Sequence, residues 1–435
     1  MEHSVQKTTS EIFTAALEAV SPHEAVKLQC ENIMSLYKTG NFNRLMVIGF
    51  GKAVCPMAKA VEDSLPDLLN TGIVITKYNH CNIYTLRKIT VFEAGHPVPD
   101  ENGLKGTNAI IRLLENNDEH TLVVCLISGG GSALLVAPYE GITLSEKQKV
   151  TGLLLKAGAD IYELNTVRKH ISWVKGGRLA EIAYPSRVIS LILSDVIGDS
   201  LDVIASGPTS PDTTTYTDAL RVLKKYRLVG EIPQGVSDVL YKGAKGLIPE
   251  TLKEKSIVFE KIENIIIGSN RKAIEAAKKK SESLGFNTKI ISTEVTGEAK
   301  EVGKWLAKKV LEIKKVNNYN KPVCLISGGE TTVTVRGRGK GGRNMELALS
   351  FAAGIEGIKG ITLLSAGTDG TDGPTDAAGA VVDGETIRKA KSLGLDPDEY
   401  LKNNDSYNFF KEIDGLFITG PTETNVMDIQ IVLIV

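Results

Sequence analysis

Short apolar runs rich in β-branched residues alternate along this chain with stretches whose apolar positions recur every three or four residues. RLMVIGF (44–50), GIVIT (72–76), TLVVCLIS (121–128) and RVISLIL (187–193) each border such an amphipathic pattern. This alternation predicts β-α-β units and a largely parallel sheet. Strand signals resume with NIIIGS (264–269), PVCLIS (322–327), ITLLSAG (361–367), LFITG (416–420) and IQIVLIV (429–435). Between the two series, from Gly207 to about Lys255, Pro, Thr, Gly and charged residues dominate, so a domain boundary is expected there. TTVTV (331–335) follows its strand after only a Gly-Gly-Glu loop and reads as the second arm of a hairpin, which would make the second sheet mixed. The tail IQIVLIV is too short for a membrane anchor and reads as a buried strand.

One heptapeptide, VCLISGG, occurs twice, at Val124–Gly130 and Val323–Gly329. In each copy a strand runs into a glycine turn. The first continues as Gly131-Ser132-Ala133-Leu134, a small-residue helix start, so Ser128–Ser132 is expected to form a nest of N–H donors for an anion. The second continues into Glu330 and the hairpin candidate. VIGFGKAVCPMAKA (47–60) is a third strand-turn-helix, with Lys52 after the Gly-x-Gly turn. It departs from a dinucleotide fingerprint, because Val54 replaces the third glycine and the next strand ends near Lys77 rather than an acid.

In LNTVRKHISWVKGGRLAEI (164–182), Leu164, Val167, Ile171 and Val174 form one helical stripe, and Arg168, Ser172 and Lys175 another. The cationic stripe reads either as a solvated face or as a ligand-facing helix end. Two loops that follow strands are acidic: Asp195, Asp199 and Asp202 in one, Asp369, Asp372 and Asp376 in the other. Carboxylates there serve as metal ligands or a general base, although Asp is also a common turn residue. RGRGKGGRNMEL (336–347) sets Arg336, Arg338, Lys340 and Arg343 among glycines and reads as a mobile basic loop that closes on polyphosphate.

Length and composition narrow the class. A chain of 435 residues exceeds one ordinary core. With 51 Lys+Arg against 52 Asp+Glu, no broad basic surface exists for nucleic acid or an anionic membrane. The five cysteines are scattered without a CxxC pair, which fits a reducing, cytoplasmic setting and no disulfide framework; Cys125 and Cys324 lie in apolar strands. The six histidines show no zinc spacing; His96 and His170 are open to substrate or structural roles.

GFGKA, GHPVPD, SGGGSALL, NTVRKHIS..KGGRLA, SDVIGDSLDVIASGPT, SGGETTVTV.G.GKGGRN.ELAL, GTDGTDGPTDAAGA and GPT.TNVMD together resemble the class II glycerate 2-kinases, whose C-terminal part is the MOFRL domain. The resemblance runs from about Glu11 to the end, with Met345 and Glu423 as departures. It implies an α/β fold of two domains, a Rossmann-like, mostly parallel N-terminal domain over 1–245 and a C-terminal α/β domain with a mixed sheet over 246–435, with the active site in the cleft between them. It further implies ATP-dependent phosphorylation of D-glycerate at the 2-hydroxyl with Mg²⁺ or another divalent cation, no nucleic-acid or membrane partner, and a homodimer as a compatible assembly. On that reading Lys52, Asp195 and Arg343 are catalytic, Asp195 orienting or deprotonating the hydroxyl. Ser128, Gly129, Gly130, Gly131, Ser132, Arg168 and Lys175 hold substrate or phosphate. Gly329, Glu330, Lys340, Asn344, Thr424 and Asn425 contact nucleotide, and Asp199, Asp369 and Asp372 the metal. Relatives with the same motifs have also carried a reductase label, so an NAD(P)H-dependent hydroxypyruvate reductase is the enzyme alternative; a non-catalytic phosphosugar-binding module is the other.

Overall fold

The computed structural model describes residues 2–316 and 322–435. Two six-stranded sheets account for the strand signals. The first contains β1 (Arg44–Phe50), β2 (Leu69–Lys77), β3 (Ile89–Ala94), β4 (Thr121–Ile127), β5 (Arg187–Leu193) and β6 (Ile262–Gly268), in the order β3-β2-β1-β4-β5-β6. The β1–β2, β2–β3, β1–β4 and β4–β5 pairs are all parallel. Every residue of β4 is buried, as expected of a parallel strand covered on both faces. Alternate side chains feed two cores: Val47 and Val124 meet the helix Val54–Ser64, while Ile48 and Val123 meet the helix Glu101–Leu114. The order reverses at β1 and β4, and a crevice opens at the carboxyl ends of two such strands in a doubly wound sheet.

The second sheet comprises β7 (Asn287–Val295), β8 (Val323–Gly329), β9 (Ile361–Gly367), β10 (Gly379–Asp383), β11 (Leu416–Phe417) and β12 (Asp428–Ile434), in the order β11-β10-β9-β12-β8-β7. It is mixed, as expected, but for a different reason. The C-terminal strand β12 runs antiparallel to both β8 and β9, and β7 runs parallel to β8. With both edges of β8 taken, the expected hairpin at 331–335 does not form; Thr332 makes only an isolated parallel bridge to Glu298.

The chain divides into a compact unit of Pro22–Ile267 and another that joins Met1–Ser21 to Gly268–Val435. This differs from the single boundary at 245/246. The helix Glu2–Glu18 packs on the helix Asn270–Ser283 and on β9 and β12, with Phe13 edge-on to Phe417 at 5.4 Å, while β6 completes the first sheet. The stretch 207–255 lies inside the first of these units. Its helices Tyr216–Lys225 and Gln234–Ala244 bury Tyr216, Leu223, Val236 and Leu240 against Val150, Leu164 and Val167. The cysteine expectation is also corrected: Cys55 and Cys81 are disulfide-bonded, and Cys30, Cys125 and Cys324 are free and buried. Cys55 opens the helix after β1 and Cys81 follows β2, so the parallel β1–β2 pair sets the two strand exits side by side.

Candidate active site

At the reversal point the turns after β1 and β4 interlock. The Lys52 N–H donates to the Gly129 carbonyl at 2.9 Å, and the Ala53 N–H donates to Ser128 Oγ at 3.0 Å. Gly51 has φ of 134°, and a Cβ there would lie 2.1 Å from Ser128 Oγ, so only glycine permits this approach. The helix after Gly130 spans only Gly131–Leu134, and the Gly131 N–H is spent on the Ser128 carbonyl at 3.3 Å. The expected nest is therefore smaller, and one turn of helix adds little dipole.

Asp195, just beyond β5, reaches the same point: a Cβ on Gly129 would sit 2.4 Å from Asp195 Oδ2. Burial pushes its carboxyl above the usual range, and the nearby charge of Lys52 opposes that rise. A Cβ on Gly130 would lie 3.0 Å from His96 Nε2 and 3.3 Å from Lys52 Cγ. His96 is pulled down to about 4, first by burial and then by Lys52 and Lys77, so its imidazole is neutral at pH 7. Lys52, Asp195, the Gly129–Gly130 turn and a neutral imidazole thus share one small locus.

The helix predicted over 164–175 is shorter than its periodicity suggested. It spans Ile161–His170, with Ile171 as its C-cap, so Ser172 and Lys175 are not on a helical stripe. Lys175 is buried, and its Nζ donates to the Ala205 carbonyl at 3.2 Å. Ala205 and Ser206 have φ of 50° and 63°, strained for residues with a Cβ. Their turn is held by Ser206 Oγ, which donates to Asn165 Oδ1 at 3.0 Å and lies 2.7 Å from Ser132 Oγ. Lys169, next to Arg168, points into a different network, within 3.2 Å of both Asp202 and Asp212. His170 is structural: Nδ1 lies 2.7 Å from the Thr166 carbonyl and Nε2 2.9 Å from Glu250.

The other unit has its own polar cluster after β8. Arg343 opens the helix Arg343–Gly354; its Nε and Nη2 donate to Asp428 at 2.6 and 2.9 Å, and Nη1 lies 2.7 Å from Glu330. Burial disfavours its charge, but Asp428 and Glu330 outweigh that and hold its pKa above arginine's usual value. Asp372 caps this helix, accepting the Asn344 and Met345 N–H groups at 3.1 and 2.8 Å; burial lifts its carboxyl to about 7 despite those bonds. Asn344 Oδ1 accepts from Ser365, and Thr424 Oγ1 donates to the Val20 carbonyl. Asn425 Oδ1 accepts the Met427 N–H. Gly329, φ 144°, passes so close to Val295 that a Cβ would fall 2.3 Å from its carbonyl oxygen. The basic loop is pinned rather than free: the Arg336 and Gly337 N–H groups bind Asn404 Oδ1, Arg338 binds Asn403, and Lys340 binds Asp405. Lys340 Nζ lies 4.2 Å from the centre of the Tyr407 ring.

Among the described residues no group of three His, Cys, Asp or Glu is arranged to hold a metal ion. Asp372 has both oxygens occupied by the helix it caps. Asp369 accepts one N–H, from Thr371, and Asp199 sits in a turn of positive φ. Sequence reasoning assigned no role to Asp428, although VMD opens a strand just as the other acids follow one, and it left His96 open.

The fold is a doubly wound α/β sheet that presents a lysine, a half-buried acid and a glycine turn at its reversal point, the place where such folds bind ligands. Residues 8–241 match a domain of unknown function, DUF4147, and residues 323–428 match the MOFRL family. D-glycerate 2-kinase of Thermotoga maritima is 48% identical over 99% of both chains. A relative from Agrobacterium vitis, 42% identical over 90% of this chain and 99% of its own, bears a hydroxypyruvate reductase name, qualified as putative. The crystal structure of the Thermotoga maritima glycerate kinase superposes with a TM-score of 0.90 over the whole of both chains. This chain belongs to the glycerate 2-kinase family.

Proposed function

We propose that the protein transfers the γ-phosphoryl group of ATP to the 2-hydroxyl of D-glycerate, giving 2-phosphoglycerate and ADP. The observation that carries this reading is the placement of Asp195 against Gly129 beside Lys52. Asp195 accepts the hydroxyl proton as the oxygen–phosphorus bond forms and the bond to ADP breaks; a carboxylate whose pKa burial has raised is the stronger base. Lys52 offsets the charge on the transferring group, and the Gly129–Gly130 turn, held in place by Ser128 and Gly131, orients the acceptor together with Ser132. Arg168 and Lys175 add cationic character to the acceptor side.

The nucleotide reading rests on the second cluster. Arg343 keeps N–H groups beyond those bound to Asp428 and Glu330, and Lys340 is exposed. Gly329, Asn344, Thr424 and Asn425 shape that surface through bonds within the fold. Asp369, whose carboxylate accepts the Thr371 N–H through one oxygen, and Asp199 are the residues that would hold a Mg²⁺ brought by the nucleotide. Held there, the ion would supply charge neutralisation on the polyphosphate.

The test follows ADP release from ATP and its dependence on D-glycerate, with enolase coupling to identify the phosphoglycerate isomer. EDTA abolishes ADP formation if the divalent ion is required. NADPH oxidation with hydroxypyruvate and no ADP would sink the kinase reading in favour of a reductase, and ligand-induced stabilisation without turnover would leave a binding module.

A further inference from the structure

Helix Ile161–His170 carries neighbouring cations with opposite surroundings. Lys169 is compensated by Asp202 and Asp212, each at 3.2 Å. Arg168, partly buried, has no carboxylate partner among the described residues, and burial alone depresses its pKa to about 10. Two buried lysines share its environment. Lys147, 4% exposed, comes from the helix Leu144–Lys156, and its Nζ donates to the Ile171 carbonyl at 3.1 Å and to the Arg168 carbonyl at 3.4 Å. Lys175, 0% exposed, has the Ala205 carbonyl as its acceptor. An ammonium has three donors and a guanidinium five, so several N–H groups here are unspent.

Three basic groups packed near one another with no carboxylate partner among the described residues disfavour one another's charged forms, and a bound anion would restore those charges. Burial, then Arg168 and Arg178, pulls Lys147 down to about 7; burial, then Lys147 and Arg168, pulls Lys175 well below its ordinary value. Arg178 is not part of the opening, since its guanidinium is spent on Tyr216, on the Lys169, Ser172 and Pro249 carbonyls, and on the Tyr139 ring.

We propose that Lys147, which has no role in the site described above, joins Arg168 and Lys175 in one buried cluster that takes an oxyanion beside the Ala205–Ser206 turn. The oxyanion is the carboxylate of the acceptor or a phosphate group. Its identity rests on the glycerate 2-kinase reading; the demand for an anion does not. The cluster then selects acids over neutral polyols.

The rival account makes Lys147 only a cap for the carbonyls at the end of helix Ile161–His170, and the two predict opposite results for Lys147→Met. If the cluster is uncompensated, removing one charge leaves the ligand-free melting temperature unchanged or higher. Stabilisation of the wild type by sodium sulfate, measured against sodium chloride of equal ionic strength, is lost in the variant. Under turnover, a KM for D-glycerate raised about tenfold with KM for ATP within about twofold assigns the carboxylate, and the reverse assigns phosphate. A lowered melting temperature with the sulfate increment and both KM values intact overturns the proposal, as does a wild type that sulfate does not stabilise. Should Lys147→Met fail to fold, Arg168→Gln reads the same quantities from a more exposed side chain, and an intact sulfate increment with intact KM values again overturns it. A wild type that makes no ADP would defeat the kinase reading while the sulfate comparison still decides the cluster.

Discussion

The two VCLISGG copies share seven residues and do different work. Both deliver a fully buried strand to a glycine turn, and burial lifts both cysteine thiols, Cys125 and Cys324, to about 12. In the first copy Ser128 Oγ accepts from the neighbouring turn and Gly129 faces Asp195. In the second Ser327 Oγ donates to Gln430 and Gly328 faces the side-chain oxygen of Asn270. Near the first, Arg168 and Lys175 have no carboxylate partner among the described residues, whereas the arginine near the second is neutralised by Asp428 and Glu330. The strands flanking each copy explain this: β4 lies between parallel neighbours whose exits converge on one edge, while β8 has antiparallel β12 beside it, which brings Asp428 in from the opposite direction.

The sharpest way to break that comparison is Asp195→Asn. ADP release should fall on the order of 10²–10⁴-fold with KM for ATP little changed, because general-base catalysis supplies about that factor; a loss under about threefold would remove Asp195 from the chemistry. On the other side, Asp428→Asn leaves Arg343 short of its bidentate partner. Breaking a buried pair costs about 3–5 kcal/mol, but the Arg343 side chain is 32% exposed, so about 2–3 kcal/mol is expected from urea unfolding. Matching glycine substitutions then separate the copies. Gly328→Ala collides with Asn270 at 2.3 Å and Ile274 at 2.6 Å inside the fold and should cost about 1–3 kcal/mol of stability. Gly129→Ala meets chiefly the Asp195 carboxylate, so turnover should suffer more than stability; equal losses of stability in the two variants would show that the turns are not distinct.

The smallest effect is expected from His96. Its folded pKa of about 4 lies below the ordinary 6.5, so unfolding takes up a proton as acidity increases. The stability it contributes is present above pH 6.5 and is lost as pH falls through about 4. His96→Gln should therefore flatten the decline of melting temperature across that window by a few degrees at most; an unchanged slope would mean the imidazole is not buried against Lys52.

Much of this was legible in the chain. Strand runs, the Gly-x-Gly turn before Lys52 and the acids after β5 and β9 lie where local pattern placed them, because burial on both faces and turn geometry act over a few residues. Three expectations failed for one reason. The hairpin at 331–335, the helical stripe reaching Lys175 and the mobile basic loop at 336–343 are each locally plausible, and each lost to contacts from distant segments: β7 and β12 on β8, the Ala205 turn on Lys175, and Asn403, Asn404 and Asp405 on the loop.

What the sequence by itself determined is the alternation that makes two α/β sheets and the motifs that mark a glycerate 2-kinase family member. Tertiary structure alone decided which charges meet. Arg168 and Lys169 are adjacent in sequence, yet one packs toward acids and the other toward more cations. Likewise Arg343 finds Asp428 from 85 residues away. Electrostatic partners are set by distance through space and by local burial, and neither can be read from spacing along the chain.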